Sequence, residues 1–94
     1  MNTIIERRML ALNDLKERRP VLFRHFKGGL YKATGVARDT ESGNVSIIYT
    51  NADKDTGEYF SRPIDSFFAL ADKSKYPMCQ QQYRFEVVKN TLEE

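Results

Sequence analysis

The chain contains one histidine, and it sits where several kinds of chemistry meet. His25 lies in the stretch Arg24 to Tyr31, RHFKGGLY, among the cations Arg24 and Lys27 and the aromatics Phe26 and Tyr31, just before a glycine pair. An imidazole titrates near neutrality, so in this setting it can hold a structural hydrogen bond, contact a ligand or move a proton. Lys27 and Lys32 place ammonium groups on either side of the glycines, where they could meet an anion. Arg62 stands directly before Pro63. A guanidinium held by a rigid neighbour can grip a phosphate or carboxylate at two points, or it can cap the fold through a buried carboxylate.

Other chemistries find no support in the residues. Asp53 and Asp55 in NADKDTG suggest a calcium loop, but no glycine stands at the sixth position from either aspartate and no glutamate at the twelfth. A polar loop is the simpler reading. There is no glycine-rich phosphate loop followed by Lys-Ser/Thr, no cysteine or histidine pair for zinc, and no nucleophile motif. The single cysteine, Cys79 in YPMCQQQ, has no nearby His or Cys and reads as an inert thiol. No catalytic residue, metal ligand or cofactor is expected, and the chain reads as a non-enzyme.

The elements that position these residues follow from periodicity. Residues 3–18 predict a helix, with Thr3 and Glu6 forming a capping box and Pro20 closing the end. Ile4, Ile5, Met9, Ala11, Leu12 and Leu15 gather into one arc, with Arg7, Arg8, Asp14 and Glu17 outside it and Leu10 to the side. That arc must bury itself across an open end of a sheet, in a homodimer, or against a partner. From Val21 the period changes to two. VLFRHFK and LYKATGVAR flank Gly28 and Gly29, a two-residue hairpin loop. With that loop, Lys27 faces Leu30, and one sheet face carries Val21, Phe23, His25, Lys27, Lys32 and Thr34 as a basic surface. The other carries Leu22, Phe26, Tyr31, Ala33, Gly35 and Ala37 as core, with Arg24 among them. A loop one residue longer would exchange the faces of one strand.

A second hairpin turns through DTESGN into VSIIYT, YFSR forms a short strand, and PIDSFFAL forms a short helix opened by Pro63. YRFEVVK alternates as the last strand before the tail NTLEE. Five short strands, with Gly35 in mid-strand to permit a bulge, predict a mainly β, small, partly open barrel.

The run FRHFKGGLYKATGVARDTESGNVSIIYTN, followed by EYFSRPIDSFF, resembles the domain-of-unknown-function family 1653. The matching residues are His25, Phe26, Lys27, Gly28, Tyr31, Gly35, Val36, Ala37, Arg38, Glu41, Tyr49, Arg62, Pro63 and Phe67. The resemblance covers roughly Leu22 to Phe68, about half of the chain. It implies an SH3-like barrel, in agreement with the strand count; the strands read from the residues place that barrel at 21–90, after the amphipathic helix of residues 1–20, in one domain overall. The resemblance transmits no activity. The loop Asn51 to Glu58 lacks the Tyr-Gly segment often present in that family, and the helix Thr3 to Arg18 lies outside the motif. Beside the resemblance, the candidate ligand-binding set is His25, Lys27, Lys32, Tyr49 and Arg62. The resemblance suggests that His25 and Arg62 line one pocket; a structural His25 would instead hydrogen-bond Glu41 or Tyr49.

Composition bounds the function classes. With 94 residues the chain supports one core, and 40% hydrophobic with 30% charged residues is globular composition without a membrane-spanning run. Glu6, Arg7 and Arg8 interrupt the apolar stretch a signal peptide needs, which with the single cysteine suggests a cytoplasmic protein. Up to Arg38 there are nine Lys/Arg against three acids, a surplus of six; the net charge of +2 leaves −4 for the remainder. This polarity suits an anionic partner. The expected function is a binding module for a phosphate-bearing ligand, either nucleic acid or a nucleotide-like small molecule. The alternative is a small phage or bacterial factor that docks on a host protein.

Overall fold

The computed structural model describes residues 4–78 and 80–90, in the element order α1 (Ile4–Lys16), β1 (Val21–His25), β2 (Leu30–Arg38), β3 (Val45–Asn51), β4 (Phe60–Pro63), α2 (Ile64–Phe67) and β5 (Phe85–Asn90). The Thr3 cap, Cys79 and the tail after Asn90 lie outside the described residues, as do the side chains of Ile4, Ile5, Glu6, Arg7, Lys89 and Asn90. The strands form one antiparallel sheet in the order β4-β3-β2-β1-β5. It is an open barrel, because β4 and β5 remain edges. The gap between those edges is filled by rings: Phe67 of α2 stacks on Phe85 of β5 at 4.1 Å and 1°, and meets Tyr49 of β3 at 5.4 Å.

The register of the first hairpin differs from the expected one. Leu30 pairs with Arg24 rather than Lys27, and the His25 amide donates to the Gly29 carbonyl, so the loop runs from His25 to Gly29. Gly28 and Gly29 both take positive φ, 96° and 90°, as this turn requires. The displacement is odd, and side chains alternate along a strand, so β1 is turned over relative to β2. Val21 and Phe23 are therefore core, opposite Ala33 and Tyr31, while Leu22 pairs with Lys32 and Arg24 is exposed. The uniform basic face does not form. Along β2 the pairing with β3 slips between Ala33 and Gly35, which is the expected bulge.

Helix α1 packs across β1, β2 and β5 through Ala11 and Leu15, both essentially inaccessible, with half-buried Leu12 beside them. The predicted arc is rotated at its ends. Met9 is 66% exposed, whereas Asp14 is buried. Asp14 is accommodated because the chain doubles back after the helix: the Arg19 amide donates to the Asp14 carbonyl and the Arg18 amide to the Leu15 carbonyl, a Schellman turn. This returns the Arg19 guanidinium to Asp14 Oδ1 at 2.7 and 2.9 Å, and to Glu17. Arg18 fills the left-handed position of the turn at φ 65°, a conformation costly for any residue with a Cβ. Arg18→Gly is expected to stabilise the domain by about 0.5–1 kcal/mol, the relieved strain less glycine's greater unfolded-state entropy. A denaturant midpoint that fails to rise would contradict this.

Candidate ligand-binding pocket

All five strands contribute to one pocket. In β4, Phe60 and Arg62 share a face, being two apart, and they pair with Tyr49 and Ile47 of the core face of β3. The inversion of β1 carries His25 onto the same inner face as Phe23, and His25 pairs directly with Phe85 of β5. Tyr31 enters from β2 opposite Phe23. The result is a cavity of about 140 Å³ lined by His25, Tyr31, Tyr49, Phe60, Arg62 and Phe85. Its base is buried, with Tyr49 and Phe85 only 7% and 2% exposed. The walls are aromatic rings in edge contact: His25 meets Phe85 at 4.9 Å and Tyr31 at 6.0 Å, and Tyr49 meets Tyr31 at 5.7 Å.

Two polar side chains define what this pocket can bind. Arg62 Nε donates to Tyr49 Oη at 3.4 Å and Nη1 donates to Ser66 Oγ at 3.1 Å. These bonds orient the guanidinium and leave its Nη2 end unpartnered among the described residues. No described carboxylate forms an ion pair with it. His25 Nδ1 accepts the Lys27 amide at 3.1 Å, so the neutral ring carries its proton on Nε2 as a donor. Burial, and after it the nearby charges of Lys27, Arg84 and Arg62, lower the His25 pKa from 6.5 to about 4. The potential at the ring is thus positive. Arg84 adds to it with a buried Nε that lacks a hydrogen-bond partner.

Because the folded-state pKa of His25 lies below its unfolded value, the unfolded chain binds the extra proton between about pH 6.5 and pH 4. Stability is therefore expected to fall as pH is lowered through that window, and to be unaffected by this group above it. Full linkage would amount to about 3 kcal/mol; the residue is partly exposed, and solvent screening reduces this to roughly 1–2 kcal/mol. Denaturant unfolding at stepped pH should show the slope, and His25→Gln should flatten it. Equal slopes in the two proteins would contradict the assignment.

The structure brings three of the sequence candidates together, His25, Tyr49 and Arg62, and separates two. Lys27 extends over Tyr76, with Nζ 4.9 Å from the ring centroid and 5.9 Å from that of Phe26. Lys32 lies on the outer face of the sheet beside the β3–β4 loop, lining a different, open hollow with Thr50 and Asp53. The carboxylate of Asp53 accepts the Leu30 amide at 3.4 Å and so ties that loop to the first hairpin. Glu41 belongs to the β2–β3 turn, where its amide bonds Asp39 Oδ1; the ring nitrogen of His25 is bonded to the Lys27 amide instead. Phe60 and Phe85 were not among the sequence candidates. The signal for Phe85 was the alternation of YRFEVVK, but only the pairing of β5 with β1 puts it opposite His25.

An open five-stranded β barrel with an N-terminal helix, enclosing an aromatic pocket with one arginine and one neutral histidine, is the class these features define. Residues 21–87 match the model of a family described as protein of unknown function, DUF1653, and the chain belongs to that family. It is also similar to a protein of that family from Bordetella bronchiseptica known from a crystal structure. The identity is 28% with a TM-score of 0.62, over 85% of this chain and 99% of that one. No curated protein matches the chain. Among the described residues, no helix is long and apolar enough to cross a membrane.

Proposed function

We propose that the domain is a non-enzymatic binding module whose pocket takes the phosphate group of a ligand. The observation that carries this reading is Arg62, set in an aromatic pocket beside a neutral histidine, with no carboxylate among the described residues to neutralise it. A guanidinium so placed gains most from an anion that can accept from its free end. The Nε2–H of His25 supplies a second donor, and the convergent charges of Lys27, Arg84 and Arg62 favour a highly charged group. A cavity of about 140 Å³ is close in size to one that holds a single benzene ring, ~150 Å³, so it encloses a phosphoryl group and its nearest atoms. The same geometry argues against catalysis. His25 is too weak a base near neutrality, no carboxylate among the described residues orients it, and the lining includes no serine, cysteine or threonine nucleophile.

Isothermal titration with inorganic phosphate, pyrophosphate and nucleoside phosphates tests the reading. A single saturable site is expected. Binding that weakens by similar small steps for each cation removed would point to a diffuse surface, and no binding by any of the set would reject the proposal. The alternative, docking on a host protein or self-association through α1, is favoured by one feature, the exposure of Met9 and Leu10 at 66% and 47%. Sedimentation that shows a dimer dissolved by Met9→Gln with Leu10→Gln would support it.

A further inference from the structure

A second, larger hollow has a wall in contact with a wall of the pocket. His25 lines the first, and the ring of the next residue, Phe26, lies 4.7 Å from it. Phe26 is also a wall of the second hollow, about 360 Å³, which it shares with Lys75, Tyr76, Pro77 and Met78. These walls are chiefly apolar and open to solvent: Tyr76 is 39% and Met78 90% exposed. The loop is nonetheless held in shape. Asp72 Oδ1 accepts the Ser74 amide and hydroxyl and the Lys75 amide, and the Tyr76 amide donates to the Asp72 carbonyl at 3.1 Å. The Asp72 carboxylate is thereby bonded to the loop's own donors, which lower its pKa. Tyr76 stands edge-on to Phe26 at 5.4 Å and 74°, and the Lys27 ammonium lies against both rings. Two aromatics and two lysines make a surface complementary to a flat ligand that carries negative charge.

Size links the two hollows. A ligand whose phosphoryl group fills the Arg62 pocket has no room there for anything as large as a base, and the neighbouring walls at the His25–Phe26 junction are aromatic. Resting on the phosphate reading above, we infer that the ligand is a nucleoside 5′-phosphate. Its phosphate lies at Arg62 and His25, and its base packs in the hollow of Phe26, Tyr76 and Met78 beside Lys75. Base contact with an aromatic side chain is worth about tenfold or more in affinity. This term is independent of the phosphate.

Titrations with adenosine 5′-monophosphate, uridine 5′-monophosphate and ribose 5-phosphate separate the two parts. Both nucleotides should bind about tenfold or more tightly than ribose 5-phosphate. Tyr76→Ala should remove most of that advantage while leaving ribose 5-phosphate unaffected, and Tyr76→Phe should retain it. Tyr76 is on an exposed loop, so an unchanged melting temperature verifies that the variants are folded. A 5′-phosphorylated tetranucleotide that binds more tightly than the mononucleotides would identify a strand end as the source, and equal or weaker binding a free nucleotide. Equal affinities for nucleotides and ribose 5-phosphate, or a Tyr76→Ala effect that is the same on both, would overturn the base site while the phosphate pocket stands. Failure of all three ligands to bind would overturn both.

Discussion

Phe67→Ala is expected to lower the unfolding free energy by about 3–5 kcal/mol, the usual cost of deleting a fully buried phenyl ring and leaving a cavity. Phe67 is inaccessible to solvent and lies at the centre of the ring cluster. It stacks on Phe85, and it meets Phe23 at 4.9 Å, Phe68 at 5.2 Å and Tyr49 at 5.4 Å. Its position adds to the effect. The edge strands β4 and β5 do not pair with each other, and the two ends of the sheet are joined by the Phe67 ring packed between them together with the short backbone bridge of Leu70 to Tyr83. A domain of this length has a total stability on the order of 5–14 kcal/mol, so the variant would lose much of it. Denaturant unfolding measures the difference, and a loss below about 1 kcal/mol would show that the gap is closed by other contacts. Phe67→Leu, which retains most of the volume, should cost considerably less.

Arg62→Ala is expected to abolish ligand binding while leaving the fold in place. A ligand present at a hundredfold its dissociation constant stabilises the folded state by about 2.7 kcal/mol, which in a domain of this size corresponds to a rise in melting temperature of about 10–20 °C. Arg62 is half-buried and its partners are the hydroxyls of Tyr49 and Ser66. Both are neutral groups, so its removal leaves no buried charge unpaired. The ligand-free melting temperature should therefore change little, whereas the ligand-induced rise should vanish. Arg62→Lys should restore little of it, because an ammonium cannot reproduce the planar fork that bonds Tyr49, Ser66 and an anion together. A full thermal shift in Arg62→Ala would remove Arg62 from the site.

The elements were legible in the sequence because they are specified locally. The change of period from helical to alternating at Val21, the glycines of the turns, the bulge before Gly35 and the short helix after Pro63 all follow from residues within a few positions of one another. His25, Tyr49 and Arg62 were recognisable as candidates for the same reason: each has a distinctive side chain in a distinctive local setting. Which of them share a pocket was not a local question. GG invites a two-residue loop, but that loop would have turned Phe23 outward. The loop from His25 to Gly29 lets Phe23 join Phe67 and Phe85 in the core, and burying one large ring outweighs the preference of a turn worth far less. That same inversion carries His25 inward and leaves Lys32 outside. The helix shows the same division. Its apolar arc was evident, but a sheet covers only part of an arc, and this one covers Ala11 and Leu15 while leaving Met9 in solvent. Asp14 could be buried only because the chain reverses at Arg18 and brings a guanidinium back to it. Periodicity within an element determines which residues form it. Which face is buried, and what lies opposite it, depends on contacts between residues far apart in the chain, whose free energies no local pattern encodes.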